Sequence, residues 1–250
     1  MAIAFPLEGL IQNSSANLPH QPVFAYLPLR SYGFRFILQA DFEIPASRQD
    51  LRHDNLWNEW LRSHMHELIW TSYCTFERLS DLIADLNFEN NQFLEVNRIQ
   101  TIKYFLKFIP ELYAIEPYFE GFINKSLKVL AGKMELPVIR RKIAGQTETI
   151  WVQPSQCIIV RDDFTRSIIT EELLLLYRNC YYLHDDLMEE CNEKRLTALG
   201  CRTLELSDIT DLIESSYKSM EQACHKNEAN IKQGRIFLDV FFFSLKSSSY

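Results

Sequence analysis

Residues 23–60 read VFAYLPLRSYGFRFILQADFEIPASRQDLRHDNLWNEW, and the fold is decided here. Phe34, Phe36, Leu38, Ala40 and Phe42 alternate with Arg35, Ile37, Gln39, Asp41 and Glu43. A period of two residues is the pattern of a strand with one buried face. Residues 23–29 form a second strand candidate, edged by Pro28, and Ser31, Tyr32 and Gly33 read as the turn between the two. An antiparallel hairpin is expected. Residues 45–53 are a polar loop. Asp54 and Asn55 then offer side-chain oxygens to the first N–H groups of a helix carrying Leu56, Trp60, Leu61, Leu68 and Ile69.

Outward from this stretch the pattern turns helical. A break is expected near Thr71, with continuation through Phe76, Leu79, Leu82 and Leu86, and a turn at 87–91. Residues 98–109 form a helix that Pro110 ends. The next helix starts on Pro117, runs to Ala131 and stops at Gly132. Two short strands, 136–143 and 148–152, flank Gly145, and 157–160 is a third. Helices follow at 168–179, 187–199 (closed by Gly200) and from Ser207 to about Cys224. Towards the N-terminus, 2–10 reads as a strand and 13–22 as a loop.

The expected class is therefore α+β, mainly helical: an N-terminal β-hairpin, a helical middle and a small mixed α/β C-terminal part. The corresponding regions are 1–44, 45–135, 136–225 and an irregular tail over 226–250. A chain of 250 residues with 47% hydrophobic residues can bury a sizeable core.

Charge and composition exclude several function classes. The formal net charge is -7, the opposite of a phosphate-binding footprint, so no nucleic-acid partner is expected. The short basic run Arg140, Arg141 and Lys142 reads as a solvated strand end. Six cysteines occur with no CxxC pair, which speaks against a zinc ribbon and for reduced thiols in an intracellular protein, cytoplasmic or nuclear. No run is long and apolar enough for a membrane span. His64 and His66 are two residues apart, which on a helix turns them away from each other, so they do not suggest a shared metal. His184, Asp185 and Asp186 could be read as a base pair or metal site, but Asp185 and Asp186 are better read as helix caps. No glycine-rich phosphate cradle is present. Arg48 stands out among the charges because it sits in the polar loop; on spacing alone, a surface salt bridge to Asp50 or Asp54 is favoured.

One resemblance goes further. Leu27-Pro28-Leu29, Gly33-Phe34, Gln39-Ala40-Asp41-Phe42, Ser47-Arg48 and Trp57-Asn58 resemble, in order and spacing, a segment of the sacsin-like and NO VEIN-like proteins. Trp151 to Ser155 and the 196–213 stretch look similar with less force. The resemblance implies that residues 23–60 border the C-terminal edge of a GHKL-type ATP-binding module, so that the hairpin would finish an incomplete nucleotide-binding sheet. It implies a chaperone-like or scaffold role, with ATP and Mg belonging to an intact homologue. The family's nucleotide motifs would precede residue 23, where the chain has no room for them. The chain then reads as a fragment or short product that neither binds nor hydrolyses ATP by itself, and has no cofactor or metal of its own. By position, Arg48 would face the nucleotide pocket of an intact homologue. The alternative is a helical adaptor that binds a protein partner through Trp57, Trp60 and Trp70. Two structural features separate these readings. Internal packing of Phe34, Phe36, Phe42 and the tryptophans would weaken the adaptor, and an open N-terminal sheet would favour the flank.

Overall fold

A computed structural model describes residues 1–7, 18–85, 97–141 and 146–224. The turn expected at 87–91, the Gly145 turn, Lys142 and the tail 226–250 lie outside the described residues. The chain is α+β and mainly helical, as its pattern predicts. It divides into two compact units, Met1–Ile159 with Tyr182–Arg202, and Val160–Tyr181 with Thr203–Tyr250.

The first unit opens with a four-stranded sheet of order β1-β4-β2-β3. Its strands are β1 (Ala2–Ala4), β2 (Pro22–Ala25), β3 (Leu27–Ser31) and β4 (Ile37–Gln39). The hairpin exists, but not where the turn residues place it. β2 pairs antiparallel with β3, and the reversal falls on Tyr26, in the left-handed region at φ 63. β4 lies parallel to β2 and antiparallel to β1.

Gly33 explains the difference. Its φ is +95, and a Cβ there would stand 2.0 Å from the carbonyl oxygen of Ala114. The segment 31–34 therefore leaves the sheet to press against residues 114–116, where Glu116 N–H donates to Tyr32 O at 3.1 Å. It returns as β4 on the other side of β2. Only three residues of the alternating run are in the ladder, yet Phe34, Phe36, Leu38, Ala40 and Phe42 are all buried, as their period demands. Periodicity reports which face meets the core; it does not report which strand is the partner.

Helices α1 (Leu56–His64), α2 (His66–Glu77), α3 (Leu79–Asp85), α4 (Arg98–Phe108) and α5 (Pro117–Lys133) cover this sheet's apolar residues. The helix breaks fall at Met65 and Arg78, not at Thr71. α4 starts on a capping box of Asn97 and Gln100, and α5 starts on Pro117. The core is aromatic. Phe5 meets Phe36 at 5.6 Å, Phe76 at 5.2 Å and Phe108 at 4.9 Å between ring centroids, and Phe34 meets Phe119 at 5.0 Å. These edge and tilted contacts suit the ring quadrupoles.

β5 (Leu136–Arg141) and β6 (Thr147–Val152) are the two strands expected around Gly145, and they pair antiparallel. β7 (Cys157–Ile159) does not join them. It is the middle strand of a separate sheet, between β8 (Tyr181–Tyr182) and β9 (Arg202–Thr203). The helix expected over 187–199 is two helices, α8 (Asp185–Glu190) and α9 (Glu193–Ala198). Asn192 breaks the run because its side chain caps the second helix, accepting from Lys194 N–H at 3.0 Å. Gly200, at φ +98, ends it as expected.

In the second unit the helix expected over 168–179 is α7 (Glu171–Arg178), and a short helix the pattern did not predict, α6 (Asp163–Ile168), precedes it. Asp162 caps α6, and Asn179 ends α7 in a left-handed conformation at φ 49. α10 (Leu206–Cys224) packs against α7.

Candidate functional site

The site is the polar loop between β4 and α1, together with the residues that hold it. Its principal clamp is Asn58, on the first turn of α1 and fully buried. The Asn58 Oδ1 accepts from Glu43 N–H at 2.8 Å, while its Nδ2 donates to Glu43 O at 2.8 Å and to Arg52 O at 3.0 Å. Both ends of the loop are thus tied to one side chain. Asn55 caps the same helix, its Oδ1 accepting from Asn58 N–H at 3.0 Å. Trp57 Nε1 donates to Asp41 O at 2.8 Å and fixes the strand end that feeds the loop.

Asp50 is the second clamp. It accepts from the Tyr32 hydroxyl, from Leu51 N–H at 2.8 Å and from Arg30 Nη2 at 3.2 Å. Burial pushes its carboxyl up, but the hydrogen bonds from Tyr32, Leu51 and Arg30 outweigh this and hold it below the ordinary aspartate value. Burial, then the Asp50 hydrogen bond, pushes the Tyr32 phenol well up, so it stays a neutral donor. Arg30 also pairs with Glu116 at 2.6 Å and lies 4.4 Å over the Tyr32 ring. His53 stacks on Tyr118 at 4.3 Å, and the Arg62 guanidinium lies 4.5 Å from the centroid of the same ring.

Arg48 stands at the tip of this frame. It closes a turn in which its N–H donates to Pro45 O at 2.9 Å, and its backbone is left-handed at φ 55. The side chain is exposed and makes no ion pair among the described residues. The salt bridges favoured on spacing alone do not form among the described residues: Asp50 is engaged by Arg30, and Asp54, 4.0 Å from Arg52, stays exposed. Gly33, Asp41, Trp57 and Asn58, which carry much of the resemblance, each have a packing or hydrogen-bonding reason. Arg48 has a backbone reason only, and its guanidinium is left over.

Other candidates resolve into structural roles. His64 Nδ1 lies 2.8 Å from Trp60 O, and His66 Nδ1 lies 3.0 Å from Ser63 O. Asp185 and Asp186 do not cap α8: they sit in its first turn, and His184 caps it, Nδ1 accepting from Asp186 N–H at 3.3 Å. Burial pushes the Cys191 thiol up to about 11, which keeps it from acting as a thiolate at neutral pH. No group of three or more His, Cys, Asp or Glu side chains that could hold a metal ion occurs among the described residues. In the second unit a recess of about 290 Å³ is lined by Arg178, Asp211, Leu212, Glu214, Ser215 and Lys218. Arg178 there is already engaged by Asp208 and Asp211, both at 3.5 Å.

These features define a small α+β scaffold that presents one arginine on a loop held at both ends. Among curated proteins, Protein NO VEIN from Arabidopsis thaliana is similar: 37% identical over 87 residues, which are 34% of this chain and 3% of that protein. No family model matches the chain, and no solved structure does. Among the described residues no helix is long and apolar enough to cross a membrane.

Proposed function

We propose that this chain acts as the non-catalytic flank of a NO VEIN-like, sacsin-like protein, with a scaffold or chaperone-like role, in which residues 23–60 border a GHKL-type ATPase module. The observation that carries this reading is the unpaired Arg48 on a loop clamped by Asn58 and Asp50. A guanidinium fits phosphate oxygens in bidentate fashion, and a fixed backbone lowers the entropy lost when it does so. The partial similarity to NO VEIN supports the same reading.

On this reading ATP and Mg belong to an intact homologue and not to this chain. Asp50, the carboxylate nearest Arg48 in sequence, is engaged by Arg30 and Tyr32, which supports that reading. Titration of the purified chain with Mg-ATP is expected to give no heat of binding at micromolar concentrations. A micromolar Kd would overturn the reading.

A second reading, that α1 is a protein-interaction element, is favoured by one observation. Phe34, Phe36 and Phe42 pack internally, but Trp57 and Trp60 remain 47% and 49% exposed.

A further inference from the structure

The exposed aromatics of α1 are arranged in an unusual way for a solvent face. Trp57 and Trp60 stack with ring centroids 5.2 Å apart and planes 11° from parallel. His64 continues the ladder, 4.5 Å from Trp60. Trp57 is the outer rung. One of its faces meets Trp60, and the residue keeps 47% of its surface exposed. The ring is not free to turn away, because its Nε1–H is held by Asp41 O at 2.8 Å.

Asp41 and Asp54 are exposed acidic residues: the backbone carbonyl of the first holds the indole, and the second lies three residues before Trp57 in the chain. Asp41 is exposed and its side chain has no ion pair among the described residues. Asp54 lies one turn before Trp57 and is 83% exposed at its side chain, with a single contact to Arg52 at 4.0 Å, beyond hydrogen-bond range. An immobilised indole bonded to the backbone of one exposed aspartate, with a second exposed aspartate three residues before it, has the complement of a cation: the π-face and the anions attract the same charge.

We infer that the Trp57 face, with Asp41 and Asp54, is a docking site for an arginine- or lysine-bearing segment of a protein partner. This rests on the interaction reading of α1 and is independent of Arg48. The partner's cationic side chain would lie flat on the indole and reach a carboxylate at its edge. An acidic segment would meet like charge and be rejected.

The test uses the full chain and peptides of fixed length: tetra-arginine, tetra-lysine, tetra-glutamate, and a neutral glycine–leucine peptide. Binding is read by calorimetry and by the shift of the Trp57 indole N–H resonance. Tetra-arginine is expected to bind and move that resonance, and tetra-glutamate to do neither. Trp57→Ala leaves the net charge unchanged and is expected to weaken tetra-arginine binding about tenfold. Asp41→Asn combined with Asp54→Asn, which keeps the ring and the Asp41 carbonyl, is expected to weaken it by a similar factor. Equal binding by wild type and both variants would mean diffuse attraction to an acidic protein and would overturn the site. Binding of the neutral peptide that is lost in Trp57→Ala but kept in the double Asn variant would preserve the interaction reading and overturn the cationic partner. Binding of none of the peptides would overturn both.

Discussion

Asn58 shows how one polar side chain can set a loop. Its three hydrogen bonds go from a fully buried residue to backbone groups of Glu43 and Arg52. Asn58→Ala leaves those groups unpaired, so we expect a loss of about 2–4 kcal/mol in urea unfolding, well above a surface substitution. Gly33→Ala is expected to cost a similar amount, about 2–4 kcal/mol, because the new methyl meets the Ala114 carbonyl and the φ is unfavourable for any L side chain. Arg48 should behave in the opposite way. Arg48→Ala removes no ion pair or side-chain hydrogen bond among the described residues and should shift stability by no more than about 0.5 kcal/mol. The sequence carried a signal for Asn58 that its polarity obscured. It lies on the same inward stripe of α1 as Leu61 and, one turn on, Met65, all buried. A polar residue on an apolar stripe points to a buried hydrogen-bonding task. The partners of that task were not legible, since they are backbone groups of a loop whose path depends on the fold.

At the scale of elements, the caps and breaks were readable because they are local. Asn55, Pro117 and Gly200 act as their chemistry dictates. Strand pairing was not, because it depends on what the chain meets far away. Gly33 turns for the sake of Ala114, about eighty positions on, and so moves the hairpin reversal to Tyr26. The split at Asn192 was missed because the apolar pattern of 187–199 continues through a residue whose side chain favours capping. The Asp50 clamp joins β3, the loop and the start of α5 through Arg30 and Glu116, and its pH dependence follows from its charge. The Asp50 carboxyl is held below its ordinary value in the folded chain. Its contribution is therefore complete at neutral pH, and disappears as pH falls through the ordinary aspartate range and then through the folded value. Thermal melts of wild type and Asp50→Asn should differ most near pH 7 and converge as the pH falls below the folded carboxyl's own range. A gap that widens on acidification would contradict the clamp.

For the whole molecule, composition and period were enough to give an α+β, mainly helical chain, since both depend only on how much apolar surface must be covered and at what spacing. In the first unit the cover is reinforced away from the loop: Glu190 on α8 receives Lys103 and Lys107 of α4, both at 2.8 Å. Such ties hold α8 against α4 without offering a ligand any free charge. The resemblance was legible in a segment whose residues, once folded, are the parts of one clamped loop.

The most direct measurement is the ATP turnover of an intact NO VEIN-like protein carrying the equivalent of Arg48→Ala, beside the Arg48→Lys variant and with stability measured in the same samples. The account predicts a fall in turnover of about tenfold or more for the alanine variant, partial recovery with lysine, and an unchanged melting temperature. Full turnover in the alanine variant would contradict it.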